Sequence, residues 1–598
     1  MPQLAIAPTF LDEFRHLDRS VQSATLSVLN ALMRGEHPPL GPPAGALDDR
    51  VRILRIGPEW SGVVIPTTDE AYCLLTVRPH DEAVSFARSC YGLDRPALEL
   101  AGDTPQDAPV DVGAPPVLAP AEIAAALTAD LATWRVTVHP EQQRLIAASR
   151  AGPARLSGGP GTGKTVVLLH RAAHLARQDE ARRSALGHRP ILVTTRGELL
   201  AQMLSRWLDD LVDDPEVRQR IEVSTVDSLA RSVVHGNSGA VPEVLDRDSV
   251  RQRWRDHAAA DGLPYSGRFL VDEWEQVILA HQLTEVSDYV RAERRGRLTH
   301  LAPEYRPQVW EAIDRYTVQM RTQRRLSRAQ LAAEAARILG SVGPMYRHIL
   351  VDETQQLHPA HLRMLRAAAP RGHNDLFLVG DPRLATVDWG VSLRAVGVEV
   401  QGRAQRLRNS YRSTREILGW ADDILGRGRT ATGAPSTLPH PHSVLRGPQP
   451  RVYAATSRAA EYAAMVSRVK SWLEGGLEGA DIAVAGRNRW IVRSLTKELQ
   501  ACGIATAPAG AGPHVAGVRA ATLHQLNGLE FRCVGLAGLS DPLLPPRAAL
   551  DTAEGDTAGL EQELARERAL LYTACTRARD ALYVSYVNRP SALLPRLG

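Results

Sequence analysis

The sequence predicts a multidomain α/β protein built on parallel sheets, and three observations carry that expectation. Its 598 residues exceed what a single hydrophobic core can organise, so the chain should divide into roughly three or four domains. From about residue 150 onward, short apolar runs alternate with helical segments. A glycine-rich loop at 158–165 opens directly into an apolar helical segment, Val166 to Arg177.

The apolar runs are Ile191-Leu192-Val193, His348-Ile349-Leu350-Val351, Leu376-Phe377-Leu378-Val379, Ile482-Ala483-Val484 and Leu582-Tyr583-Val584. Buried strands interleaved with helices are the pattern of a sheet covered on both faces. The stretch 206–345 breaks the rhythm: it is long, rich in Arg, Trp and Leu, and helical in pattern, and reads as an insertion. No internal repeat is visible.

Composition sets the class. Hydrophobic residues make up 44% and charged residues 23%, the balance of a soluble globular protein. No run approaches the ~18 apolar residues of a membrane span, so no membrane partner is expected. The five cysteines are scattered without a C-x-x-C pair, which argues against a disulfide framework or zinc cluster and fits a reducing cytoplasm. Residues 1–100 hold nine arginines, no lysine and an excess of acids, whereas the whole chain is net +4. Any affinity for nucleic acid therefore belongs to the later part.

Before residue 100 the pattern differs. Phe10, Phe14, Leu17, Val21, Val28 and Leu32 recur at helical spacing, and strand-like runs follow at 51–56, 60–66 and 71–77. Five prolines within 101–120 mark a linker. A second proline-rich stretch, 435–450, contains His440 and His442 without an acidic or cysteine partner, so it does not read as a metal site.

Gly158-Gly159-Pro160-Gly161-Thr162-Gly163-Lys164-Thr165 satisfies G-x-x-x-x-G-K-[ST]. Glycines let the backbone wrap a phosphate with its N–H groups inward, and the following helix adds its positive end. Lys164 would reach the β- and γ-phosphates and the Thr165 hydroxyl would ligate Mg²⁺. A triphosphatase also needs a carboxylate for the metal and one for the attacking water, and Ile349-Leu350-Val351-Asp352-Glu353 ends in that pair. Asp352 would hold Mg²⁺ and Glu353 would act as general base. Arginines that stabilise the transition state are worth ~10³–10⁵ in rate; Arg412 and Arg577 are the candidates.

In order and content these segments resemble the UvrD/Rep/PcrA branch of superfamily 1 DNA helicases. Val138 to Gln142 resembles the Q motif, which implies that Gln142 reads adenine. Ile191 to Arg196 and Ser224 to Ser228 resemble two DNA-contacting loops, placing Thr195 and Thr225 on DNA. Asp352 to Gln356 resembles D-E-x-Q-D. Leu407 to Thr414, Thr522 to Phe531 and Glu567 to Ala578 resemble the motifs of the second half. The resemblance implies that Arg412 and Arg577 meet the γ-phosphate, that Glu530 touches the ribose, that Trp389 stacks on a base and that His524 faces DNA. Three positions depart from the pattern. Leu384 stands where a glutamine senses the γ-phosphate, Asn527 where a lysine meets DNA, and Gln356 where an aspartate closes the Walker B run.

The fold implied is two RecA-like P-loop NTPase domains with a helical insertion, preceded by a small α+β module. In residue ranges the module covers 1–100 and the linker 101–135. The first RecA-like domain takes 136–205 and 346–400, the insertion 206–345 and the second RecA-like domain 401–598. The basic runs Arg291 to Arg297 and Arg321 to Arg328 of the insertion are candidates for DNA backbone contacts. Residues 8–90 resemble the RelE/ParE toxin-like fold, with Val77 to Ala83 similar to a run in such modules fused to UvrD-like helicases. Their acidity favours docking a protein partner over cleaving RNA. His80-Asp81-Glu82 reads as a helix start, since consecutive residues rarely converge on one ion.

The function implied is an ATP- and Mg²⁺-dependent translocase on single-stranded or forked DNA with 3′→5′ polarity. A nucleotide-gated DNA-binding protein with slow hydrolysis is the competing reading, motivated by Leu384, Asn527 and Gln356. A toxin-like ribonuclease tethered to a motor is a third.

Overall fold

A computed structural model of the chain describes residues 3–6, 17, 21, 24–25, 28, 40–41, 51–56, 59–68, 71–89, 138, 140–178, 189–260, 265–294, 297, 301–426, 429–433, 436, 442–443, 445–512, 515–547 and 557–595. The expected linker at 101–135, most of the helical pattern at 10–34 and the histidine pair at 440–442 lie outside these residues, apart from the backbone of His442. The chain forms two compact units, 1–114 and 115–598.

The first unit holds strands β1 (Gln3–Ile6), β2 (Leu40–Gly41), β3 (Arg52–Ile56), β4 (Trp60–Thr68) and β5 (Ala71–Pro79), followed by helix α1 (His80–Ser89). Their order is β1-β5-β4-β3-β2. The three runs read from sequence are the antiparallel centre of the sheet; β1 adds a parallel edge on β5. Leu54, Ile56, Val64, Leu74 and Val77 form one small core. Helix α1 starts at His80 with Asp81 and Glu82 in its first turn, where acids suit the positive end of the helix dipole.

The second unit contains two parallel six-stranded sheets. The first is made by β6 (Ala154–Gly158), β7 (Arg189–Thr195), β8 (Ile221–Thr225), β11 (Tyr346–Val351), β12 (Leu376–Gly380) and β13 (Ala404–Leu407), in the order β13-β6-β12-β11-β7-β8. Leu156, Val193, Leu350 and Val379 lie on one face against α2 (Pro140–Ala147) and α3 (Lys164–Gln178). Leu192, Ile349, Val351 and Leu378 lie on the other. The second sheet is made by β16 (Arg451–Ala455), β17 (Ile482–Gly486), β18 (Thr506–Pro508), β19 (Val518–Thr522), β20 (Phe531–Ala537) and β21 (Ala578–Val587), in the order β16-β21-β20-β17-β19-β18. Two short strands, β14 (Asn409–Ser410) and β15 (His442–Ser443), pair outside it.

The insertion is smaller than the sequence suggests. Strand β8 falls inside the stretch read as insertion, yet it pairs with β7 at the edge of the first sheet. Helices α5 (Val226–Ser238) and α9 (Arg328–Val342) also pack on that sheet's core. The inserted lobe has its own core from Leu245 to Met320, around Trp254, Trp274 and Tyr316. It is closed at its neck by β9 (Glu243–Leu245) pairing with β10 (Arg325–Ser327). Its helices include α6 (Arg247–Ala260), α7 (Gly267–Glu273) and α8 (Arg306–Thr322). The polar Glu222 and Ser224 hid β8, because an edge strand need not be apolar on both faces. For the same reason β13, mostly exposed, extends the first sheet past residue 400.

Candidate nucleotide and nucleic-acid site

The glycine loop bends between β6 and α3. Gly161 and Gly163 have φ of +70° and +84°, the left-handed region that side chains disfavour. Space forbids a side chain at both: a Cβ on Gly163 would lie 2.1 Å from Gln142 Nε2, and one on Gly161 would lie 2.5 Å from Ser410 Oγ. Gln142 is buried and donates from Nε2 to Thr162 O at 3.1 Å, so the residue expected to read the base braces the loop. Lys164 Nζ donates to Gly159 O at 2.8 Å. Burial lowers the basicity of its ammonium, and Asp381, Glu353 and Asp352 oppose that loss.

Parallel β11 sets its carboxylates against the loop. Thr165 Oγ1 donates to Asp352 Oδ2 at 2.8 Å. Burial, reinforced by the Glu353 charge, holds Asp352 above the usual carboxylate range. A buried carboxylate bonded to a threonine hydroxyl beside a phosphate loop is a hard-oxygen pair suited to Mg²⁺. Glu353 has φ +54°, a left-handed conformation that costs a non-glycine residue about 1–3 kcal/mol. Gln355, whose role no spacing in the sequence signals, secures this turn: its Nε2 donates to Glu353 Oε2 and its Oε1 accepts from Asp381 N at 3.1 Å.

The second half contributes the arginines. Arg412 Nη1 donates to Glu530 Oε1 at 2.6 Å. Its Cβ lies 2.7 Å from where a Gly161 side chain would start, so Arg412 abuts the phosphate loop. Arg577 follows helix α14 (Thr557–Cys575) and is held through Thr573 O at 3.1 Å. Burial, then the Arg412 charge, lowers its pKa to about 10, while Glu353, Glu530 and Asp352 pull the other way. The segment between the sheets bonds to both. Tyr411 N donates to Gly161 O at 2.9 Å, and Thr414 N donates to Arg579 O at 3.2 Å.

The residues expected on nucleic acid divide into two sets. Trp389, half-buried, and His524, exposed, line a cavity of about 370 Å³ between the domain of the first sheet, the insertion and α14. The Trp389 ring meets His358 edge-on at 4.5 Å. Thr195 and Thr225 sit side by side at the ends of β7 and β8, but their side chains are only 1% and 4% exposed. Thr225 Oγ1 accepts from Ser228 N and caps α5. Their hydroxyls do not face the cavity, which Arg196 of the same loop does line.

Several arginines of the insertion's basic runs are engaged within the protein. Arg294 and Arg297 both bond to Glu273, which is fully buried. Arg325 pairs with Glu243 and Arg328 with Asp227. These side chains hold the lobe and its neck together, and their acidic partners are too distant in sequence to read beforehand.

Comparison with known proteins gives two matches along this architecture. The UvrD/REP helicase N-terminal domain matches residues 138–385, and the UvrD-like helicase C-terminal domain matches residues 513–589. Together they take in more than half of the chain. The chain belongs to the UvrD-like helicases. The "Probable DNA helicase" of Mycoplasma pneumoniae is 23% identical over 469 residues, 75% of this chain and 83% of that one. The ATP-dependent DNA helicase UvrD1 of Mycobacterium bovis is 25% identical over 313 residues, 48% of this chain and 39% of that one. The Bacillus subtilis protein YjcD is 46% identical over 70 residues, 12% of this chain and only 9% of that one. The overlap with each relative's own length thus runs from about a tenth to about four-fifths.

Within this UvrD-like site, Leu384 packs on the core of the second motor domain. The residue before it, Arg383, is buried and reaches Asp381, Asp422 and Tyr572. Nothing in the sequence around Arg383 marks this role, because Asp422 and Tyr572 lie far along the chain. Among the described residues no helix is long and apolar enough to cross a membrane, and no cluster of three metal-ligating side chains occurs.

Proposed function

We propose that the chain is an ATP-dependent translocase on single-stranded DNA, moving 3′→5′ and able to engage forked DNA, that hydrolyses ATP between its two RecA-like domains. The observation that carries this is the seating of Arg412, from the second half, against the phosphate loop at Gly161, whose loop also holds the Thr165–Asp352 pair. The inward N–H groups of 158–165 cradle the phosphates, and Lys164 exchanges Gly159 O for phosphate oxygen. Mg²⁺ held by Thr165 and Asp352 would offset the charge of the β- and γ-phosphates. Glu353 takes the proton of the attacking water, while Arg412 leaves Glu530 and, with Arg577, stabilises the charge of the transferring phosphoryl. Freed from Arg412, Glu530 turns to the ribose, and Gln142 is set beside the base.

Single-stranded DNA lies in the cavity against Trp389 and His524, with Thr195 and Thr225 shaping the loops that border it. Opening and closing of the nucleotide cleft alternates the grip on the strand. The test is Mg²⁺-dependent ATPase with and without oligothymidylate, beside strand displacement on a forked duplex. Wild type should be stimulated by DNA, and Glu353→Gln should bind ATP but turn it over at least ~10²-fold more slowly. No DNA stimulation would sink the reading.

A nucleotide-gated binding protein is the second reading, favoured by Leu384, which packs on the second domain and has no group to donate to a γ-phosphate. ATP binding with negligible turnover would support it. The first unit is assigned to docking a protein partner. Arg78, the arginine an RNA-cleaving role would need, donates to Thr76 Oγ1 at 3.0 Å and lies over the Phe86 ring. RNA cleavage by the full chain that Arg78→Ala abolishes would overturn this.

A further inference from the structure

The cavity that holds Trp389 is lined by five arginines, Arg196, Arg247, Arg251, Arg328 and Arg566, but by only two acids, Asp272 and Glu275. Burial pushes both acids toward their neutral forms, Glu275 up to about 7. Arg247 is lowered to about 10 by burial and by Arg251 beside it. Such a pocket attracts an anion.

One carboxylate already answers it. Glu563, on α14, takes Arg251 Nη2 at 2.5 Å, Arg247 Nη2 at 3.4 Å, Arg268 Nη2 at 3.5 Å and Arg566 Nη1 at 2.6 Å, all on the same oxygen, Oε1. The first three arginines belong to α6 and α7 of the insertion. Arg268 also donates to Gly559 O at 2.9 Å. On α14, Glu563 lies one turn before Arg566, which lines the cavity with Leu570 and Thr573 as Arg247 and Arg251 do, since residues three and four apart share a helix face.

We infer that Glu563 occupies the place of a DNA phosphate. It closes the insertion onto α14 while the cavity is without a strand, and gives up its arginines when a single-stranded phosphodiester enters. A phosphodiester carries the same single charge and offers oxygens of similar hydrogen-bonding geometry to a guanidinium. Arg247 and Arg251 then grip the strand, and α14, which leads directly to Arg577, is released from the insertion. Loading of DNA is thereby tied to the helix that carries a γ-phosphate arginine. The inference rests on the DNA reading of the cavity.

The experiment is titration of the full-length protein with fluorescent oligothymidylate across a range of salt concentrations. Glu563→Gln should bind roughly tenfold tighter than wild type, with a log–log salt slope steeper by about 0.7 for each additional phosphate neutralised. Arg251→Gln should bind more weakly, and adding it to Glu563→Gln should erase the improvement. Should Glu563→Gln fail to fold, Glu563→Asp keeps the charge on a shorter arm and should also tighten binding. A purely structural ion pair predicts the opposite, since loosening the interface would leave affinity unchanged or reduced, and that result overturns the inference. Wild type that binds no oligothymidylate overturns the DNA reading itself; wild type that binds, with both Glu563 variants no tighter, overturns the phosphate mimic alone.

Discussion

Arg383 donates to the Asp422 carboxylate at 2.9 Å from the first motor domain to helix α11 (Arg415–Leu425) of the second. Asp381 holds the same guanidinium at 3.2 Å, and all three residues are buried. Replacing Arg383 by methionine keeps the bulk but removes the buried guanidinium that both carboxylates share. Breaking a buried pair from one side costs about 3–5 kcal/mol, so Arg383→Met should lower the urea midpoint of the motor unit markedly. Adding Asp422→Asn should recover part of the loss. An unchanged midpoint would show that the bridge contributes nothing.

Gly163→Ala tests the loop. Its left-handed φ alone costs a side chain about 1–2 kcal/mol, and the new methyl would displace Gln142. Affinity for a fluorescent ATP analogue should fall by at least roughly tenfold. Gly340→Ala, in open space on α9, should leave it unaltered.

Acid stability turns on His358 and Glu275. His358 Nδ1 accepts from Ala360 N at 3.0 Å, so its Nε2 carries the proton and donates to Glu275 O at 3.0 Å. Burial lowers the imidazole from 6.5 to about 3. The unfolded chain therefore binds the extra proton, and the histidine's contribution, complete above pH 6.5, is lost as pH falls toward 3. Glu275 is raised from 4.5 to about 7. There the folded chain holds the proton, and its contribution is lost as pH rises from 4.5 to 7. Between pH 4.5 and 6.5 the two slopes, each on the order of 1 kcal/mol per unit, oppose each other. Glu275→Gln should unmask the histidine, giving stability that declines steadily from pH 6.5 downward in denaturation curves. A flat profile would refute the pairing.

Trp389→Ala should weaken binding of oligothymidylate by about 1–3 kcal/mol, the worth of one stacked base, with ATP affinity in the absence of DNA preserved. Equal DNA affinity would assign the ring to packing against His358.

The candidate nucleotide site was legible from sequence because phosphate geometry dictates residue type at fixed spacing. Gly161 and Gly163 must be glycines for their backbone, and Asp352 and Glu353 must follow a buried strand. The insertion's limits were hidden because β8 and β13 are edge strands with polar faces. Arg294 and Arg297 looked like a DNA-facing run, yet both turn inward to Glu273. Arg383 and Glu563 were invisible because a charge declares its role only through its partner, and their partners come from distant segments. Thr195 and Thr225 were expected on DNA-contacting loops, and the structure sets them at the ends of β7 and β8 with both residues buried, because sequence does not tell which way a hydroxyl points.

Strand β13 ends at Leu407 as the edge of one sheet, and by Thr414 the backbone is bonded beside the other. Tyr411, between them, is tied to the phosphate loop. The connection between the halves thus runs along the phosphate loop itself, with Arg412 mounted on it. Lengthening this segment by one or two glycines would therefore loosen the joint between the sheets and carry Arg412 away from the phosphate loop in the same stroke.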